Sequence, residues 1–116
     1  MSETTPSVDV ETTRATHAFM ARLAGRYPIS QAILFGSRAR RHHRPDSDAD
    51  LAVVMRGAPG HRTAIALDMA ALAFDVLLET GVLVEALPLW EDELEHPEHF
   101  SNPALIARIL QDGIRL

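Results

Sequence analysis

Residues 32–54 read AILFGSRARRHHRPDSDADLAVV, and the reading of this stretch decides the fold. Ala32-Ile33-Leu34-Phe35 is a short apolar run rich in strand formers, stopped by Gly36-Ser37. Ten residues separate Ser37 from Asp48. Asp48-Ala49-Asp50 then opens a second apolar run, Asp50 to Val54. On an extended strand, residues i and i+2 face the same way, about 7 Å apart along the backbone. Two carboxylates so placed can converge on a hard divalent cation such as Mg²⁺, which prefers oxygen ligands. Without a cation, or the arginines nearby, their charges oppose one another. A Gly-Ser turn at the end of the preceding strand offers backbone N–H groups and a hydroxyl, donors suited to a phosphate oxygen.

Working outward, Ala15, Phe19 and Leu23 recur at helical spacing and predict a helix over about Thr12 to Ala24, ended by Gly25 and kept from continuing by Pro28. Residues 1–11, polar with few apolar anchors, are expected to form a mobile N-terminal segment, leaving 12–116 as a single domain. Downstream, Gly57, Pro59 and Gly60 mark a loop. His61 to about Glu79 predicts a helix apolar over most of its circumference, with Asp68, Asp75 and Glu79 as its solvent edge. Val82 to Trp90 reads as a third strand, with Leu83, Glu85, Leu87 and Leu89 on one face and Val82, Val84 and Ala86 on the other. Trp90 to Phe100 carries five acids and predicts a short helix or turn. Asn102-Pro103 is a good start for a last helix running to about Gln111, with Asn as cap, Pro at the first helical position and Gly113 as the stop. The order α-β-β-α-β-α predicts an α/β (α+β) fold, a small sheet covered by helices.

Composition narrows the function classes. A chain of 116 residues with 47% apolar residues and no cysteine suits one core and excludes a disordered chain or a disulfide scaffold. No apolar run approaches the roughly 18 residues that span a bilayer, and the polar start is unlike a signal peptide, so the expected compartment is the cytoplasm. Sixteen acids against eleven bases give a net charge of −5, which argues against broad nucleic-acid binding, a process that needs many phosphate contacts. All eleven bases are arginine, and four of them, Arg38, Arg40, Arg41 and Arg44, lie between Ser37 and Asp48. Such a local cluster on an acidic background suits a small polyanion; a solvated loop is the plainer alternative.

Gly36-Ser37, the ten-residue gap, Asp48-x-Asp50 and the apolar strand after it resemble the signature of the DNA polymerase β-type nucleotidyltransferase superfamily. The small size resembles its minimal branch, the MNT proteins encoded beside HEPN-domain partners in prokaryotes. The similarity covers about residues 12–90. It implies the nucleotidyltransferase fold, a small mixed β-sheet flanked by helices. It also implies that Asp48 and Asp50 hold Mg²⁺, two ions with the nucleotide, and that Gly36 and Ser37 form the phosphate turn. A third carboxylate on a later strand usually completes such a site, and Glu85, the only acid inside the third strand, is the best match. Arg38, Arg40 and Arg44 are then the candidate contacts for nucleotide phosphates. The implied reaction transfers a nucleoside monophosphate from ATP or another NTP to a hydroxyl, with a HEPN toxin as the implied acceptor and an antitoxin role for this chain. The position of Arg41 often carries Gly in relatives, and Ala49 replaces a commoner β-branched residue.

A chain this short has little room for an acceptor-binding domain, so a partner or a second copy is expected to hold the acceptor, as a homo- or hetero-oligomer. A rival reading is a non-catalytic binding module that masks its partner, using the acidic stretch Glu91 to Glu98 against a basic surface. Transfer to a small molecule such as an aminoglycoside fits the length least well. His96 and His99, beside Glu93 and Glu95, could be drawn as a zinc site, but with no cysteine and no clear third ligand a solvated surface is the better reading.

Overall fold

In the computed structural model, which describes residues 8–116, the first helix begins earlier than its apolar spacing predicts, because Asp9 caps it. The Asp9 carboxylate accepts from the Thr12 N–H (3.1 Å) and the Thr12 hydroxyl (2.7 Å), satisfying donors that the first helical turn leaves unpaired. Helix α1 therefore spans Val10–Leu23, so residues 9–11 of the expected mobile segment are held in a capped helix; residues 1–7 of that segment lie outside the described residues. Strand β1 covers Ile29–Phe35 and β2 Ala49–Met55, with a four-residue helix α2, Ser37–Arg40, between them. Helix α3 spans Arg62–Thr80 and leads into β3, Val84–Trp90. A short helix α4, Glu91–Glu95, and a 3₁₀ turn precede α5, Pro103–Asp112, and the chain ends in a two-residue strand β4, Ile114–Arg115.

The sheet order is β3-β2-β1-β4. Strands β1 and β2 are antiparallel, β2 and β3 parallel, and β4 adds antiparallel to β1. This is the mixed sheet flanked by helices that the sequence predicts, with α2 and β4 as elements too short for periodicity to reveal.

Alternation along the strands builds two cores. On one face Leu34, Leu51, Val53, Val84 and Trp90 pack with Phe19 and Leu23 of α1 and with Met69 and Val76 of α3. On the other, Ile33, Ala52, Val54 and Leu89 pack with Ile106 and Ile109 of α5 and with Phe100. The alternation read for β3 holds from Val84 onward; Leu83 precedes the strand and sides with the first core. The acids read as the solvent edge of α3 do lie at its surface, Asp75 and Glu79 exposed and Asp68 partly so, but apolar side chains share the solvent side. Asp68 is tied to Tyr27 and Arg26, and Glu79 to Arg22, while Leu67, Phe74 and Leu78 stand 68%, 55% and 72% exposed.

Arg62, at the start of α3, clamps this helix to the second core. Its guanidinium pairs with the buried Glu93 carboxylate, donates to the Pro88 carbonyl (2.6 Å) and stacks over Trp90 and Phe100, with ring centroids 5.1 and 4.9 Å away. Glu93 in turn accepts from the Trp90 N–H (3.1 Å). This acid, read as part of an exposed stretch, is a buried fastening, satisfied as a buried charge must be.

Candidate active site

Strand register fixes the centre of the site. Phe35 of β1 lies opposite Asp50 of β2, and Asp50 lies beside Glu85 of β3. Paired residues share a sheet face, so these three form one row across three strands, on the α5 side. Asp48 comes two residues before Asp50, just ahead of β2, and is exposed.

Gly36 makes room for this row. Its φ of +77° suits glycine, and a Cβ there would run into the Asp50 carboxylate. The turn after β1 thus passes directly against the acid, and no other residue type fits both the backbone and the space. Ser37 opens α2; its carbonyl accepts from the His42 N–H (3.0 Å), and the Gly36 carbonyl from the Arg40 N–H (3.2 Å). Arg41 closes α2 in the left-handed conformation at φ 60°, a backbone conformation that glycine adopts most readily.

The arginines divide sharply. Arg38, expected to meet phosphate, is fully buried. Its guanidinium donates to the carbonyls of Ser47 (2.9 Å) and Pro45 (3.1 Å) and to the Thr12 hydroxyl (2.8 Å), 3.9 Å from the Asp9 carboxylate. It braces the 41–48 loop against α1 and has no surface to offer a nucleotide. Arg44 is exposed and outside the cleft beside Asp50; its N–H donates to the Ser47 hydroxyl (2.9 Å) in a local turn. Arg40 alone of the three expected arginines is brought to Asp50.

Electrostatics mark Asp50 as the residue under strain. Burial, the neighbouring Glu85 charge, a hydrogen bond with Glu85 and the Asp48 charge push its carboxyl up from 3.8 to about 6, against the opposing pull of Arg40. Near that pH Asp50 takes up a proton, because a crowded, partly buried carboxylate holds its neutral form more readily. Among the described residues no three acidic or histidine side chains make a ready-made metal cage. Magnesium is commonly held by one or two carboxylates together with substrate phosphates and water. The donors are hard oxygens, and the crowding of Asp50 by Glu85 is a conflict that a divalent cation relieves, so the residues present fit the ion.

A cleft of about 210 Å³ opens beside Asp50. One wall is Phe35, Gly36, Arg40 and Asp50; the other is Leu105, Arg108 and Asp112 of α5. Sequence reasoning missed the α5 wall. Its only sequence signal is the spacing of positions 105, 108 and 112, which puts them on one helical face, and nothing in that spacing says which face of the sheet α5 covers. His96 and His99 pair with Glu98 (3.7 Å) and Asp92 (2.8 Å) on the surface, and they belong to no metal-holding group among the described residues.

The family model for the polymerase beta nucleotidyltransferase domain matches residues 20–116. The chain belongs to this family. The match runs through α5 and β4, beyond the stretch from 12 to 90 that carries the sequence resemblance, so the α5 wall is part of the nucleotidyltransferase domain. A protein from Sulfolobus solfataricus, whose 1.40 Å crystal structure is described as that of a candidate nucleotidyltransferase, is similar in fold. It aligns with a TM-score of 0.55 at 19% identity, over 99% of this chain and 89% of that one. No match is found among curated proteins. No helix among the described residues is long and apolar enough to cross a membrane.

Proposed function

We propose that this nucleotidyltransferase moves AMP from ATP to a hydroxyl on a partner protein, a HEPN toxin in the MNT reading, and so acts as an antitoxin. The observation that carries this is the row Phe35–Asp50–Glu85, with the Gly36 turn pressed on Asp50 and Arg40 beside it. Asp48, Asp50 and Glu85 are the residues that would hold magnesium. Bound there, magnesium supplies charge neutralisation for the carboxylates and phosphates and polarises the reacting oxygens.

In the reaction, the acceptor oxygen bonds to the α-phosphorus as the bond from that phosphorus to the β-bridging oxygen breaks. Pyrophosphate leaves with the electron pair, and the hydroxyl proton passes to the Glu85 carboxylate. Gly36 and Ser37 turn the chain so that a phosphate can approach Asp50 closely, and Arg40 offsets phosphate charge. Glu85, exposed on an edge strand, is open to an acceptor from outside. A groove of about 160 Å³ passes this position on the other, α3 face of the sheet, lined by Ala66, Ala70 and Ala86 among others. With the exposed Leu67, Phe74 and Leu78 of α3, it supports a macromolecular acceptor over a small molecule. A cytoplasmic setting belongs to the same reading.

Incubation with labelled ATP, magnesium and the partner, followed by intact-mass analysis, tests this. Wild type should add one or more AMP units to the partner, and Asp48→Asn and Asp50→Asn should each reduce transfer by at least about a hundredfold, the scale of lost electrostatic stabilisation. Undiminished transfer by both variants would refute the assignment. The rival, masking without catalysis, draws support from the apolar stripe on α3. It draws less from Glu91 to Glu98 than the run of acids suggests, because Glu93 is buried and Asp92 pairs with His99, which leaves Glu95 and Glu98 exposed. Full neutralisation by the double Asp48→Asn/Asp50→Asn variant would select it.

A further inference from the structure

We propose that Arg108 of α5 binds the polyphosphate tail of the nucleotide from the wall facing Arg40, an assignment that rests on the transfer reading above. The cleft beside Asp50 carries one guanidinium on each wall, Arg40 from α2 and Arg108 from α5. Most other arginines in the structure have work already. Arg22 and Arg26 pair with acids of α3, Arg38 braces a loop, Arg56 donates to the Ile29 carbonyl, and Arg62 holds Glu93. Among the described residues nothing forms a hydrogen bond or ion pair with the Arg108 guanidinium. Arg108 therefore retains its full set of donors for a ligand, and a planar fork of donors matches phosphate oxygens well.

The polarity of the site says which part of the ligand lies there. Asp50 is flanked by Phe35 on one side and Glu85 on the other. Both cleft arginines lie on the Phe35 side, whereas the Glu85 side is an exposed strand edge. A chain of phosphates is drawn to the first, and a hydroxyl that must give up its proton to the second. At about 210 Å³ the cleft is smaller than the roughly 300 Å³ at the low end of ligand pockets, so it takes one portion of a nucleotide. Asp112, one turn beyond Arg108 on the same wall, repels an anion and confines it to the space between Arg40 and Arg108. The α5 helix thereby becomes part of the nucleotide site as well as a cover for the sheet.

Calorimetric titration in the presence of magnesium tests this, using an ATP analogue with a methylene bridge between the α- and β-phosphates, inorganic tripolyphosphate, and AMP. Arg108 is exposed, so Arg108→Ala should fold, as circular dichroism and a thermal melt would verify. Arg108→Ala should weaken the analogue and tripolyphosphate by about tenfold or more, the worth of a charge-assisted contact, and leave AMP within about twofold. Arg108→Lys, which keeps the charge but loses the fork, should recover part of the loss. Unchanged analogue binding by Arg108→Ala beside intact wild-type binding would overturn the role of Arg108 and leave the transfer reading standing. An equal loss for AMP would place Arg108 at the nucleoside and overturn it too. Failure of the wild type to bind any of the three would overturn the transfer reading and this inference together.

Discussion

Arg38 and Arg40 stand two residues apart on a four-residue helix, and their side chains go to opposite ends of the local chemistry. Arg38 turns inward to Ser47, Pro45 and Thr12; Arg40 turns to the cleft and Asp50. Removing the first leaves the buried Thr12 hydroxyl and the partly buried Ser47 and Pro45 carbonyls without this donor, around a fully buried side chain. Arg38→Ala should therefore lose about 2–4 kcal/mol of stability, from the exposure of unsatisfied groups rather than from the hydrogen bonds alone. Urea unfolding would measure it, and a loss under about 1 kcal/mol would mean water replaces the guanidinium. Arg40→Ala, by contrast, should leave the midpoint nearly unchanged. At this scale the sequence is least legible. The run Arg38 to Arg44 names the right segment, yet a fourfold repeat of one residue type holds no mark of which side chain is the strut. That choice is made by the loop, whose carbonyls close around whichever arginine faces α1.

At the scale of elements, the long helices and the three main strands were legible because each buries one face and repeats its apolar residues accordingly. Element ends were less so. Asp9 moves the start of α1 by a side-chain cap, and β1 begins at Ile29 rather than Ala32 because pairing with β2 extends beyond the apolar run. That Glu85 belongs beside Asp50 was legible only through the family resemblance, because nothing in the residues' own pattern states the parallel register of β2 and β3. The junction of α5 with β4 shows how such packing reaches the site. Gly113 has an ordinary φ of −73°, so its requirement is one of space. A Cβ there would strike the Ile109 carbonyl and the Ile33 side chain. Gly113→Ala should force α5 away from β1 and cost about 1–3 kcal/mol, the usual range for overpacking. Because Leu105, Arg108 and Asp112 ride on α5, the same substitution should weaken nucleotide binding, although residue 113 lies outside the cleft wall. Thermal unfolding together with titration of the ATP analogue would check both effects.

For the molecule as a whole, the site is a source of instability that ligands remove. The folded state holds the Asp50 carboxyl at about 6 against an ordinary 3.8, so between those values it binds more protons than the unfolded chain does. Stability must then fall as pH rises through this window, and the deficit persists above it, because the ionised pair is crowded in the fold and relaxed in the unfolded chain. Below about pH 4 Asp50 is protonated in both states and the deficit is gone. Asp50→Asn should accordingly be more stable than wild type at pH 7 without metal, by about 1 kcal/mol once the linkage value is reduced for solvent screening of a half-buried group. The two should converge near pH 4, where each is compared with the other at the same pH so that the remaining acids cancel. Magnesium should narrow the gap at pH 7 by stabilising wild type, and it should do so less at pH 5, where a proton occupies the ligand. Thermal melts of both proteins across this pH range, with chelator and with magnesium, measure all of this. A metal-free Asp50→Asn no more stable than wild type at pH 7 would mean that Asp50 and Glu85 are less crowded in solution than their register implies. It would also remove the electrostatic reason for a cation at this position.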